Sequence, residues 1–217
     1  MFTTLGGAYT YLVNNSDAFT TALGQHLLLV VIPLGVSLLL ALPLGWWSSR
    51  SPLAAQIFLN GFNSLRVIPS IAILFLAIPY LGLNFSAAAI ALTILTIPPI
   101  LINTNVGFRS INPQIKEAAI GMGMTPAQVL WQVEIPLALP VIIAGIKTAT
   151  VEVISSATLA AFIGAGGLGR FIVLGFALYD NSILLVGAIP VACLALIAEL
   201  GLGFLQNKLE VPAQKSA

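Results

Sequence analysis

Charged residues and cysteines are scarce in this chain, and each shortage excludes a class of protein. Only 7% of its 217 residues are charged and 59% are apolar, whereas about a quarter of the residues in a soluble domain are charged. The mean hydropathy of +1.05 therefore indicates that hydrocarbon surrounds most of the surface. Cys193 is the single cysteine, which excludes an intrachain disulfide and a cysteine-based metal site. The net charge of +1, with no basic run, gives no sign of a nucleic-acid partner, and we expect none.

The chain also lacks the motifs of nucleotide binding and of catalysis. No lysine follows a glycine, so ATP cannot be bound through a phosphate-cradling P-loop, and we expect no cofactor on this chain. Residues 164–169 formally match G-x-G-x-x-G, but a dinucleotide site needs a preceding strand and an acidic residue about 20 positions later. There is no histidine pair, paired carboxylate or activated serine, and we expect the lone His26 to be solvated at a membrane interface rather than to bind a metal.

Long apolar runs fill most of the chain and predict an all-α, polytopic membrane protein. A helix needs roughly 20 apolar residues to cross the hydrocarbon core. Five runs meet this length, and we expect one transmembrane domain over 20–205, with no removable signal peptide before it. The predicted spans are 27–47, 57–81, 86–102, 137–163 and 182–205.

The distribution of lysine and arginine between the loops predicts the orientation in the membrane. Cytoplasmic loops carry an excess of these residues, and one side of the predicted bundle collects nearly all of them. We therefore place the segment 1–19 outside the cell and the loop 103–132 and the tail 206–217 in the cytoplasm. The cations on the cytoplasmic side are Arg50, Arg109, Lys116, Lys208 and Lys215, against Arg170 alone on the other side.

The loop 103–132 carries signals for two short helices. Asn112 followed by Pro113 is typical of a helix start, and glycines at 121 and 123 should end that helix. Thr125, followed by Pro126 and with Gln128 three residues later, predicts a second start with a capping box. We expect this second helix to stop before Pro136. A rigid polar element between membrane spans suggests a docking surface for a cytosolic partner.

This loop resembles the EAA motif of bacterial ABC importer permeases. That motif has Glu-Ala-Ala, three residues, Gly, nine residues and Ile-x-Leu-Pro. The segment 109–136 has the same spacing and departs from the motif only conservatively, with Val133 in place of Ile and Ile135 in place of Leu. The wider sequence resembles the branch of permeases for glycine betaine, carnitine and choline, over about residues 20–205. The matching residues are Glu117, Ala118, Ala119, Gly123 and Val133-Glu134-Ile135-Pro136, with Ile68-Pro69-Ser70, Pro98-Pro99-Ile100 and 157–169 for the branch.

The resemblance implies the transmembrane domain of a type-I ABC importer. In such permeases the loop helix lies in a groove of a separate ATP-hydrolysing subunit. Small residues, here Ala118 and Ala119, let the backbone of this helix approach that subunit closely. Gly123 allows the turn that presents the helix, and Glu117 offers a charge. Further partners implied are an extracytoplasmic substrate-binding protein and a second permease, either a copy or a paralogue. Other readings remain: an importer of another small solute such as an amino acid, a membrane-embedded enzyme, or an assembly protein without transport.

Three ionisable residues within the predicted spans are candidates for function: Arg66, Glu152 and Glu199. Ionisable groups at bilayer depth commonly line a pathway or pair with each other. One hypothesis is that Glu152 lines the pathway and attracts a quaternary ammonium. The other is a structural ion pair of Arg66 with Glu152 or with Glu199. Lys147, five positions before Glu152, points to a different face of the helix and is a poor partner for it.

A run of small residues follows the fourth predicted span and should form a turn outside the cell. Small residues allow helices and backbones to meet closely. Such a turn could serve packing alone, or it could gate the pathway or contact the binding protein. The glycines concerned are Gly164, Gly166, Gly167 and Gly169.

Overall fold

The computed structural model describes residues 2–209, so the last part of the predicted tail, 210–217, lies outside the described residues. The described chain is helical and contains no strand. A π-helical turn, Val129–Glu134, precedes α8, and a 3₁₀ turn, Leu159–Ile163, follows it. The helices are α1 Phe2–Asn14, α2 Ser16–Arg50, α3 Pro52–Leu65, α4 Ser70–Leu81, α5 Phe85–Arg109, α6 Pro113–Gly121, α7 Pro126–Gln128, α8 Ile135–Ser156, α9 Gly169–Ala177 and α10 Asn181–Leu209.

Helix length and hydropathy confirm the all-α membrane architecture with about five spans. Within the described residues, four helical segments are long and apolar enough to cross a bilayer, and α3 with α4 together provide a fifth. The four are α2, α5, the continuous segment Pro126–Ser156, and α10.

The second predicted span is wrong as a single helix. It divides into α3 and α4, and Arg66 lies in the break between them, exposed rather than embedded in a span. Pro69 is the N-cap of α4, with ψ at 136°. Proline also disfavours the helical conformation at the residue before it, here Ile68, which explains why the helix cannot continue.

Three further boundaries differ from the sequence prediction. The short helix after Thr125 does not stop before Pro136 but continues through the π-helical turn into α8. At the junction the N–H of Ile135 bonds to the carbonyl of Leu130, five residues earlier. This turn is wider than an α-helical turn, and it therefore accommodates Pro136 directly after it. The loop 164–180 contains α9, and α10 extends to Leu209, so the start of the predicted tail is helical.

The chain forms two compact units, of which the first comprises Met1–Ser37, Val67–Thr96 and Thr150–Ala198. Its core combines larger side chains such as Phe171 and Leu92 with many fully buried alanines. Small side chains allow helix backbones to approach closely, which is how helices associate in membranes without a hydrophobic driving force between them. In this unit the alanines with an exposure of 1% or less are Ala22, Ala87, Ala88, Ala91, Ala157 and Ala160.

The second unit comprises Leu38–Arg66, Ile97–Ala149 and Glu199–Ala217. Phe108, Ile111, Ala138 and Ile142 form its buried apolar cluster. α5 and α8 approach closely at Gly145, where an added Cβ would lie 2.8 Å from the carbonyl oxygen of Pro99. α2 and α5 are joined by a hydrogen bond of 2.8 Å from the Asn105 amide to the Ser48 hydroxyl, both of which are buried.

Candidate functional site

α6 begins where the sequence predicts. Asn112 is its N-cap, and the Asn112 side chain accepts a hydrogen bond of 2.9 Å from the N–H of Gln114. Pro113 occupies the first helical position, where its missing N–H costs nothing. The short helix is therefore stabilised at its start by two adjacent residues of its own sequence.

α6 ends in a Schellman motif built around Gly123. The N–H of Gly123 bonds to the carbonyl of Ile120 at 2.9 Å, and the N–H of Met124 bonds to that of Ala119 at 3.2 Å. Gly123 has a φ of +83°, a left-handed conformation that glycine adopts without strain. The chain thus reverses immediately after α6, as predicted.

The following segment contains the predicted capping box. The N–H of Thr125 donates to Oε1 of Gln128 at 2.8 Å, and the N–H of Gln128 donates to Oγ1 of Thr125 at 3.4 Å. Because α7, the π-helical turn and α8 follow without a break, this capping box begins a helical segment that reaches Ser156. The α6 turn is thereby attached directly to a membrane span.

α6 presents one face to the surroundings and buries another. Glu117 and Ala118 are exposed, whereas Ala119 is 2% exposed. Ile120 and Met122, next to the turn, are 62% and 76% exposed. An exposed carboxylate beside small and apolar side chains is a surface suited to close approach by another protein.

Glu134 is the most buried ionisable residue of this region, with 2% exposure. Its Oε1 accepts from Nζ of Lys116 at 3.0 Å, and its Oε2 accepts from the guanidinium of Arg50. These three residues come from the π-helical turn, α6 and the end of α2. We call this cluster of Arg50, Lys116 and Glu134 the Glu134 anchor.

The intramembrane ion pair is not the one expected from sequence. Nζ of Lys147 lies 3.1 Å from Oε1 of Glu199, which joins α8 to α10, so the hypothesis of an Arg66–Glu199 pair is wrong. Glu152 is half-buried on α8 and has an interaction partner of its own. A pair of Arg66 with Glu152, and a pathway role for Glu152, stay predictions.

The small-residue turn after α8 is tightly built. Three of its glycines have positive φ: Gly164 at +72°, Gly166 at +79° and Gly167 at +82°. Gln25 of α2 accepts a hydrogen bond of 3.1 Å from the N–H of Gly167, and a Cβ on Gly169 would overlap the Thr158 carbonyl. The geometry accounts for the glycines through conformation and packing, and a gating role stays a prediction.

His26 corrects another expectation, because it is fully buried rather than solvated at an interface. Its ring lies against Gly167, where an added Cβ would come within 3.3 Å of Nδ1. The missing side chain at Gly167 makes room for the imidazole.

Sequence reasoning missed the Glu134 anchor and the Lys147–Glu199 pair. The residues concerned are far apart along the chain: 84 positions separate Arg50 from Glu134. Glu134 stands at an unspecified position of the EAA pattern, so the motif draws no attention to it. The only available signal was an acidic residue at the start of an apolar segment.

The sequence of this chain matches a known family and its relatives over nearly all of its length. The family model described as "Binding-protein-dependent transport system inner membrane component" matches residues 37–211. The carnitine transport permease protein OpuCB of Listeria monocytogenes is 41% identical over 96% of this chain and 95% of that protein. The choline transport system permease protein OpuBB of Bacillus subtilis is 40% identical over 85% of each. The osmoprotectant import permease protein OsmW of Salmonella typhimurium is 36% identical over 93% of this chain and 94% of that protein.

Solved structures with the same fold come from transporters. An inward-facing structure of the MetNI methionine ABC transporter superposes with a TM-score of 0.76 at 20% identity, covering 90% of this chain and 98% of that chain. An amino acid ABC transporter with histidines gives a TM-score of 0.64 at 20% identity, covering 93% and 96%. At these identities the likeness establishes the fold of this chain.

Proposed function

The chain belongs to the family of binding-protein-dependent transport system inner membrane components, and from that membership we propose that it imports a quaternary-ammonium osmoprotectant. It is a transmembrane permease subunit. The proposed substrates are glycine betaine, carnitine and choline. This proposal is supported by relatives that are 35–41% identical over most of the chain. These relatives are named as carnitine, choline and osmoprotectant permeases.

The proposed energy source is ATP hydrolysis on a separate cytosolic subunit that docks on α6. The observation that carries this proposal is the exposed face of α6, where Glu117 and Ala118 are accessible while Ala119 is buried. The Schellman turn at Gly123 holds this face outward. Because the segment from Pro126 to Ser156 is continuous, a push on the α6 turn would reach a membrane span directly. Pro136 lies at the start of that span.

Further proposed partners complete the transporter. A substrate-binding protein would deliver the solute from outside the cell, as the family description, a binding-protein-dependent transport system, suggests. A second permease, either a copy or a paralogue, would supply the other half of the pathway. ATP would bind to the partner subunit only.

A quaternary ammonium offers no hydrogen-bond donor, so it is recognised by carboxylates and by the faces of aromatic rings. Glu152 is our candidate for the pathway, since it is a half-buried carboxylate in the last turn of α8. In this proposal its carboxylate attracts the cation during passage.

An amino-acid importer is the second candidate, and one observation favours it. The solved structures of similar fold are those of a methionine transporter and an amino acid transporter. Their sequence identity of about 20% shows fold alone, whereas the osmoprotectant permeases are almost twice as similar. We therefore prefer the quaternary-ammonium substrate.

Reconstitution of the complete transporter in liposomes tests the proposal. ATP hydrolysis and uptake are measured with binding protein loaded with glycine betaine, carnitine, choline or an amino acid. We expect stimulation by at least one quaternary ammonium and none by the amino acid. Stimulation by the amino acid alone would make the substrate assignment wrong. If no ATPase subunit binds the permease, the proposal that the chain is part of an ATP-driven importer is wrong.

A further inference from the structure

The Glu134 anchor brings two partly exposed cations to one buried carboxylate of the second unit. A carboxylate with 2% exposure is tolerated only when its charge is paired. Here one oxygen contacts Lys116 and the other contacts Arg50, so both oxygens are used. The carboxylate of Glu134 is thus the common contact of three helical segments.

The three residues of the Glu134 anchor lie on α6, at the end of α2 and directly before α8. Arg50 is the last residue of α2 and also lies over the ring of Trp46, 5.8 Å from its centroid. Lys116 is on α6, and Glu134 immediately precedes α8. The Glu134 anchor therefore ties the exposed helix to the ends of two membrane spans.

Packing alone holds α6 incompletely. The three anchor residues line an open cavity of about 650 Å³, and its lining also includes Ile120 of α6, Met124, Trp46 and Leu130. The chain between α6 and α7 turns through Gly123, whose surroundings are open. With a cavity on one side and a glycine turn at its end, α6 depends on directional ion pairs for its position.

We propose that Glu134 is a positioning residue for transport. Through Lys116 and Arg50 it holds α6 against the ends of α2 and α8, so that a displacement of α6 moves both spans instead of bending the glycine turn. The proposal rests on the proposed function. It assigns a role to a residue that the EAA pattern leaves unspecified.

The first test measures coupling in the reconstituted transporter. Glu134→Gln keeps the shape of the side chain, removes its charge and leaves two cations facing each other. We expect uptake per ATP hydrolysed to fall about tenfold, which corresponds to a loss of about 1.4 kcal/mol in coupling, while the ATPase subunit stays bound. Glu134→Asp, which keeps the charge, should recover part of the coupling.

A second variant covers the case in which Glu134→Gln fails to fold. Lys116→Gln cuts only the link to α6 and leaves the carboxylate neutralised by Arg50, so the buried site stays paired. The same loss of coupling is expected. Asp17→Asn removes an exposed carboxylate in the first turn of α2 and serves as the charge-matched control with unchanged coupling.

The second test needs no partner subunit. A nitroxide attached at Gln114→Cys, on the exposed part of α6 and in a Cys193→Ser background, reports the mobility of α6 in the purified permease. Mobility should rise in Glu134→Gln and Lys116→Gln and stay unchanged in Asp17→Asn. Unchanged mobility, or raised mobility with unchanged uptake per ATP, would overturn the proposal. If no ATPase subunit binds the parent chain, the importer assignment fails instead, and the mobility measurement still decides whether Glu134 holds α6.

Discussion

Gly123 illustrates how one backbone conformation defines the surface that α6 presents. Its φ of +83° lies in the left-handed region, and no heavy atom would come within 4 Å of an added Cβ. The requirement for glycine is therefore conformational and not a matter of space. Gly121, two residues earlier, is helical and equally open, so it offers a matched comparison.

We predict opposite effects for alanine at these two positions. Gly123→Ala should destabilise the turn by about 1–2 kcal/mol, the cost of a side chain in the left-handed conformation. Gly121→Ala should be neutral or stabilising by up to about 1 kcal/mol, because alanine favours helix. Thermal unfolding of the purified permease and its affinity for the ATPase subunit measure both effects. Equal behaviour of the two variants would contradict a conformational role for Gly123.

Features that depend on neighbouring residues could be predicted from the sequence, whereas features that depend on residues far apart in the chain could not. Asn112, Thr125 and Gln128 were predicted as capping residues and are confirmed, since a cap depends on residues within three positions of it. His26 was predicted to be solvated and is fully buried. Its burial depends on the approach of Gly167, which no local pattern reveals.

At the level of elements, apolar runs located the spans but not their interruptions. The run 57–81 is largely apolar and Arg66 is its only charged residue, yet it forms α3 and α4 because Pro69 starts a new helix. Pro136 has the opposite outcome, since the preceding π-helical turn lets the helix continue. Whether a proline breaks a helix is decided by the hydrogen bonds around it, and composition does not show these.

The Lys147–Glu199 pair between α8 and α10 leads to a prediction at this scale. Lys147→Met and Glu199→Gln should each lower the thermal stability of the permease in lipid, because each leaves one charge of the pair without its partner. The double variant should be more stable than either single variant, since no unpaired charge remains. A double-mutant cycle of melting temperatures measures the coupling, and strictly additive losses would show that the pair contributes nothing.

For the whole molecule, orientation in the membrane remains a prediction from charge distribution. We expect the turn after α6 to face the cytoplasm and the turn between α9 and α10 to face outward. Met122 and Tyr179 mark these turns and are 76% and 94% exposed. In a Cys193→Ser background, a membrane-impermeant maleimide should label Tyr179→Cys on intact cells and Met122→Cys only in inverted vesicles. Labelling of Met122→Cys from outside would contradict the docking of α6 on a cytosolic subunit.

Composition and apolar run length by themselves determined an all-α membrane protein, and the resemblance of 117–136 to the EAA motif indicated the importer permeases, because each of these signals depends on residues close together in the chain. Tertiary structure decided which charges meet: Glu134 with Arg50 and Lys116, and Lys147 with Glu199. A charge in a poorly hydrated interior is stabilised by whichever opposite charge the packing of helices brings within about 3–4 Å. That packing arises from contacts between distant segments, such as Gly145 against Pro99, and sequence periodicity carries no record of it.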